Sequence, residues 1–131
     1  MARPEPRAGR RGSPRRAAHG DRSLLEAFWR EPVSRILGRR EFWSLDFAIS
    51  LATLDPRPDS ETLVEAALTQ FEPEPRRRVL DLGTGSGCIA LSIARERPRA
   101  AVTAVDQSEA ALNVARNNAQ RHTIGNVGFL H

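Results

Sequence analysis

Three glycines and two aspartates have the types and spacing to hold a nucleoside. Gly83, Gly85 and Gly87 alternate with Thr84 and Ser86, directly after the apolar run Val79-Leu80-Asp81-Leu82. Glycine tolerates positive φ and lets backbone approach a ligand closely. Ile89, Ala90, Leu91, Ile93 and Ala94 then recur as a helix face, and Pro98 limits that helix on its far side. A second apolar run, Ala101-Val102-Thr103-Ala104-Val105, ends at Asp106. An acid about 20 residues past a glycine loop, at the end of the next strand, is placed to accept hydrogen bonds from ribose hydroxyls. Strand, glycine turn, helix, strand and acid make up a nucleotide-type βαβ unit, with both strands read as buried on both faces.

The loop narrows the choice of nucleotide. It reads G-x-G-x-G, and Cys88 stands where the dinucleotide fingerprint has its third glycine. No lysine or arginine lies in the loop to meet a phosphate, and there is no G-K-[ST] element. A loop without phosphate chemistry, followed by a ribose-binding acid, fits S-adenosylmethionine better than NAD or ATP. Asp81 at the strand end would face the positively charged amino-acid end of that cofactor. The cofactor-binding candidates are Asp81, Gly83, Thr84, Gly85, Gly87, Asp106 and Gln107. The competing reading is a glycine turn that serves packing alone.

Beyond the loop, the chain resembles the HemK/PrmC family, the release factor glutamine methyltransferases. The residues that carry the resemblance run from Glu31 to Leu130. They are Glu31-Pro-Val-Ser34, Gly38-Arg-Arg-Glu-Phe-Trp43, Pro56-Arg-Pro-Asp-Ser-Glu61, Val79 to Gly87, Ala104-Val-Asp106 and Asn126-Val127. The glycine loop alone points to a class I methyltransferase. The Arg-Glu-Phe-Trp and Pro-Arg-Pro-Asp-Ser-Glu elements are more specific. By this resemblance the expected activity is methyl transfer from S-adenosylmethionine to the glutamine side-chain amide of the Gly-Gly-Gln motif in peptide chain release factors. The resemblance also makes Arg57 and Glu61 possible cleft-lining residues. An alternative remains open: a nonenzymatic fragment, or a remnant of another class I methyltransferase acting on nucleic acid or a small molecule.

The expected fold is α/β, a Rossmann-like class I methyltransferase fold that is incomplete, with two to three parallel strands preceded by a β-hairpin and short helices. Residues 1–22, rich in Arg, Pro and Gly, read as a disordered basic tail with seven arginines. Residues 23–39 carry Leu24, Leu25, Phe28 and Trp29 on one helical face, with Gly38 suited to a helix C-terminus; by resemblance they are a remnant of a helical substrate-binding domain. Residues 40–54 alternate Trp43, Leu45, Phe47 and Ile49 with smaller or polar residues, which reads as a strand, and the resemblance makes it a linking hairpin. Residues 55–131 form the methyltransferase part. Asp59 or Ser60 caps a helix with Leu63, Val64, Ala67, Leu68 and Phe71 on one face, and Glu72 to Arg78 links it to the first strand. Ser108 caps another, with Ala111, Leu112, Ala115 and Ala119 inward and Asn113, Asn117 and Asn118 solvated. Asn126 and Gly128 bracket the start of a third strand, and His122 and His131 read as surface residues.

Composition excludes several classes. All 20 basic residues are arginine, and the net charge is +4, concentrated in the tail. A solvated tail without aromatic residues predicts no specific nucleic-acid partner. No apolar run is long enough to span a membrane or serve as a secretory signal, so the expected setting is cytoplasmic. One cysteine, Cys88, forbids an internal disulfide or a multi-thiolate metal cluster. A helix N-terminus can lower a thiol pKa, but Cys88 is expected to be a packing residue. In the family, an Asn-Pro-Pro-Tyr motif holds the glutamine amide. None exists in these 131 residues, so no catalytic residue is assigned. The chain is therefore expected to be C-terminally truncated, inactive alone, and a monomer if soluble, with Val79 to Leu82 left at a sheet edge.

Overall fold

A computed structural model describes residues 32–70 and 76–131. The expected tail at 1–22, the helical segment from Ser23 to Glu31, the inward position of Phe71 and the first part of the Pro/Arg linker lie outside those residues.

The described chain opens with a short helix, α1 (Val33–Leu37), which ends on Gly38 in a left-handed conformation. A hairpin follows. Strands β1 (Arg39–Phe42) and β2 (Leu45–Ala48) pair antiparallel, with Phe42 opposite Leu45 and Arg39 opposite Ala48. Alternation along β2 buries Leu45 and Phe47, and the Phe42 and Phe47 rings meet edge to face at 6.2 Å. Trp43 and Ser44 form the two-residue turn, with φ of 50° and 57°. Such a turn normally takes Asn-Gly because both residues need positive φ. Here neighbouring helices hold it, as described below. The expected strand thus breaks at Trp43, which occupies the turn and does not share the inward row of Leu45 and Phe47.

Helix α2 (Asp59–Gln70) already includes Asp59 and Ser60, so both lie inside its first turn instead of capping it. Only Val64 is fully buried on it, while Leu63 is exposed because adjacent helical residues point about 100° apart. Strands β3 (Arg78–Leu82), β4 (Ala101–Val105) and β5 (Val127–Leu130) then form a parallel sheet in the order β3-β4-β5. Helix α3 (Cys88–Glu96) joins β3 to β4, and α4 (Glu109–Arg121) joins β4 to β5. Ser108 caps α4 by accepting the Ala111 N–H at 3.2 Å. Ala111, Leu112, Ala115 and Ala119 are buried, as their spacing predicts.

The core lies on one face of the sheet. Val79, Val102, Ala104, Val127 and Phe129 pack with Ala90, Ala94 and Ala100. On the other face, among the described residues, Leu80, Leu82 and Leu130 are 61%, 73% and 59% exposed. This corrects the expectation that Val79–Leu82 is buried on both faces. The strand alternates, and no described element covers the side that carries Leu80 and Leu82. Among the described residues β3 is also an edge strand of the three-stranded sheet. An open edge beside exposed leucines favours association. The unmodified chain should therefore elute as oligomers or aggregates at tens of micromolar, whereas L80T/L82T should shift towards monomer. Because both side chains are already exposed, the change should cost less than about 1 kcal/mol of stability. Size-exclusion chromatography with light scattering and a denaturant titration check both points, and an unchanged elution profile would refute the prediction.

Two further expectations are corrected. Asn118 is fully buried instead of solvated. His122 is partly covered: its ring lies 5.7 Å from that of Phe47, and its Nε2 sits 2.8 Å from the Asp46 carbonyl oxygen. Asn126, before β5, places its amide nitrogen 3.0 to 3.1 Å from the carbonyls of Ala94, Arg97 and Ala100, which ties the end of α3 to the start of β4.

Candidate functional site

The glycine loop between β3 and α3 is fixed from three sides. The amides of Gly83 and Thr84 both donate to the carbonyl of Val105, at 2.8 and 2.9 Å, which closes the loop onto the end of β4. The Gly87 amide donates back to the Thr84 carbonyl at 2.8 Å. Asp106 supplies the third restraint. Its Oδ2 accepts the Gly85 N–H at 2.9 Å and its Oδ1 accepts the Ser108 N–H at 2.9 Å. One carboxylate thus locks the loop on one side and starts the turn into α4 on the other. Gly83 and Gly85 have φ of 76° and 56°, and a Cβ built on either would meet no atom within 4 Å. Their backbone therefore faces open space.

That space is a cleft of about 530 Å³. One wall is Gly83 to Ser86 with Cys88 and Ile89; the second is Asp106, Gln107 and Ser108. A third wall comes from the segment after the hairpin: Ala52, Leu54, Asp55, Pro56, Arg57 and Ser60. This segment is braced by α1. The Ser34 hydroxyl donates to Asp55, Arg35 Nε lies 3.3 Å from the Asp55 carboxylate, and Arg35 Nη2 donates to the Thr53 carbonyl at 3.2 Å.

Of the residues read from sequence, Gly83, Thr84, Gly85, Asp106, Gln107 and Arg57 line this cleft. Asp81 and Gly87 do not. Asp81 Oδ2 accepts the Thr84 hydroxyl at 2.7 Å, so it acts on the cleft wall through Thr84. Gly87 caps α3 at φ 82° and turns its Cα towards α4. Glu61 lies in a different hollow, lined also by Glu41, Trp43, Ser44, Arg95 and Glu96. There its Oε1 accepts the Trp43 N–H at 2.8 Å, while Glu96 Oε1 accepts the Trp43 indole N–H at 3.0 Å. These two bonds hold the hairpin turn in its left-handed conformation. The residues between Ala52 and Asp55, together with Ser60, were not legible as a wall, because their position depends on the hairpin's fold. Asn118 was missed although a signal existed: it lies three residues after Ala115, on the helix's apolar side.

Burial pushes the Cys88 thiol up, from an ordinary 9.0 to about 11, so it is protonated at neutral pH and unreactive. The fold favours the neutral thiol. Its contribution is full below about pH 9 and is lost as pH rises towards 11, on the order of 2 kcal/mol in all. The sequence has no lysine and no tyrosine, so no other side chain titrates in that window. Unfolding free energy should therefore fall between pH 9 and 11 in the parent and stay nearly flat in C88A. Equal slopes in the two proteins would show that Cys88 is not the cause.

Among the described residues, no group of three or more His, Cys, Asp or Glu could hold a metal ion, and no helix is long and apolar enough to cross a membrane.

A family model described as a methyltransferase domain matches residues 73–131. A release factor glutamine methyltransferase of Xylella fastidiosa is 55% identical over 98 residues, covering 75% of this chain and 36% of that protein. The Escherichia coli K12 protein of the same name is 51% identical over 100 residues, covering 76% and 36%. Among solved structures, the Pyrococcus abyssi tRNA (uracil-54, C5)-methyltransferase, in complex with S-adenosyl-L-homocysteine, superposes with a TM-score of 0.57 at 20% identity, over 70% of this chain and 22% of that one. A precorrin-6y C5,15-methyltransferase of Geobacter metallireducens gives a TM-score of 0.51 at 16% identity, over 65% and 43%. At these identities the two structures speak for the fold alone: the three parallel strands and their helices are part of a class I methyltransferase fold. The chain spans about a third of the length of the curated relatives it matches. In sequence, over about three quarters of its length, the chain is similar to release factor glutamine methyltransferases, and its C-terminal part matches a methyltransferase domain.

Proposed function

We propose that this chain supplies the S-adenosylmethionine-binding part of a cytoplasmic enzyme that methylates the glutamine side-chain amide in the Gly-Gly-Gln loop of peptide chain release factors. The observation that carries the reading is the locked Asp106 carboxylate, standing on a cleft whose adjoining wall is glycine backbone open to that space. The residues present fit the cofactor. Space that a Cβ would occupy at Gly83 and Gly85 admits a ligand against the backbone. Asp106 is an acceptor pair for a ribose diol, and the glycine loop itself carries no lysine or arginine to meet a phosphate. When bound, the cofactor supplies a sulfonium-activated methyl group. This chain's residues bind and orient it: Gly83 to Ser86 by backbone, Asp106 by its carboxylate, and Gln107 and Arg57 from the rim. The substrate class rests on the similarity to the named relatives and on the Arg-Glu-Phe-Trp and Pro-Arg-Pro-Asp-Ser-Glu elements.

Calorimetry on the purified chain tests the cofactor. S-adenosylmethionine and S-adenosylhomocysteine should bind, and NAD and ATP should not; the reverse selectivity, or no binding at all, would sink the reading. The substrate class is tested by reading the coding DNA beyond codon 131. An in-frame Asn-Pro-Pro-Tyr downstream supports a glutamine amide acceptor. A stop without that motif leaves this chain with a cofactor site and no means to hold the acceptor.

A further inference from the structure

We propose that Asn118 is a positioning residue that sets the width of the cofactor cleft by tying two of its walls together; this rests on the cofactor reading above. Asn118 lies on α4, has no solvent exposure, and does not line the cleft. Its side-chain oxygen accepts the Ala48 N–H at 2.8 Å. Its amide nitrogen donates to the Ala48 carbonyl at 3.0 Å and to the Ser86 carbonyl at 2.9 Å. The first two bonds treat Ala48 as a strand partner would, using both of its backbone groups. Ala48 is the last residue of β2, and the chain runs from it directly into the 52–60 wall. The third bond holds Ser86, in the glycine loop that forms another wall of the same cleft.

The side chain leaves both donor hydrogens and one acceptor position committed, each to backbone. Backbone partners cannot re-aim without moving the chain, so the link is stiff. It is reinforced one turn earlier on the same helix: the Cβ of Ala115 lies 3.1 Å from where a Cβ on Gly87 would stand. Helix α4 is thus a back-plate against which both walls are registered. A residue acting only as core filler would need none of this polarity, and an unpaired buried amide costs more than an apolar group of the same shape.

The test compares the full chain, N118L, and V64A as a control whose buried side chain lies outside the cleft. Hydrogen exchange is followed without ligand, and S-adenosylhomocysteine affinity is measured by calorimetry below the melting transition of every variant. In N118L, exchange should quicken about tenfold in two segments together, 46–52 and 83–88, and Kd should rise about tenfold. In V64A, neither segment should be singled out and Kd should stay within about threefold. Loosening of one segment alone, the same pattern in both variants, or an unchanged Kd with both segments loosened would overturn the proposal. If the parent gives no binding heat, the cofactor reading falls, and the proposed control of cofactor fit falls with it; paired loosening would then establish only the mechanical tie. If N118L does not fold, ligand added to the parent must slow exchange at the Ala48 amide, and no slowing there would equally overturn the proposal.

Discussion

Replacing Asp106 with alanine should weaken S-adenosylhomocysteine binding by about 100-fold, the largest effect on affinity expected at any single position. Two losses combine. The carboxylate accepts the amides of Gly85 and Ser108, so its removal frees the glycine loop from the start of α4. It also removes the only acidic group on the second wall, the one placed to accept a ribose diol. A hydrogen bond to a charged acceptor is worth roughly twice a neutral one, so two or more such bonds account for the magnitude. Q107A separates the effect from general disturbance of that wall. Gln107 is exposed, lines the same cleft and contributes no side-chain bond to the loop, so its loss removes only a rim contact and should raise Kd by about fivefold, far less than the loss of Asp106. Calorimetry on the two variants checks the contrast. If D106A binds within threefold of the parent, the ribose assignment is wrong and the cleft holds its ligand by other groups.

The parts of this site that were legible in the sequence are those set by local rules. The β3–glycine–α3 unit and the strand ending at Asp106 announce themselves through period and composition, because a buried parallel strand and a glycine turn each leave a signature within a dozen residues. The apolar row on α4 was legible for the same reason. What escaped depends on partners far along the chain. The 52–60 wall takes its place from Ser34 and Arg35, some 20 residues away. The Trp43–Ser44 turn contains neither Gly nor Asn, and its positive φ values are sustained by Glu61 and Glu96 on two different helices. Read alone, that stretch continues an alternating strand. Asn118 was misjudged by residue type, although its helical position set it beside Ala115 and Ala119. The exposed leucines of β3 show the limit from the other side: an apolar run states that a strand wants covering, not whether anything nearby covers it.

Gly87 carries the largest expected effect on stability. At φ 82° its backbone sits where L side chains pay about 1–2 kcal/mol. A Cβ there would also stand 3.1 Å from the Ala115 Cβ and 3.2 Å from Leu91 Cδ1. Leu91 could give by a few tenths of an ångström. Ala115 could not, because its Cβ is fixed to the α4 backbone, which Asn118 holds to two other segments. Strain and overpacking therefore add, and G87A should lose about 3 kcal/mol, enough to lower the melting point of a domain this size by more than 10 °C. Gly85 is the comparison. Its φ of 56° carries the conformational cost, but no atom lies within 4 Å of the added Cβ, so G85A should lose only about 1 kcal/mol. The two should change places when ligand affinity is measured at a temperature where both are folded. The Gly85 methyl would project into the cleft that admits the ligand, whereas the Gly87 methyl would push on α4 behind it. Denaturant titration and calorimetry on the pair check both orders. Equal losses of stability would mean that α4 yields at Ala115, and the loop is then held less firmly from behind than its contacts imply.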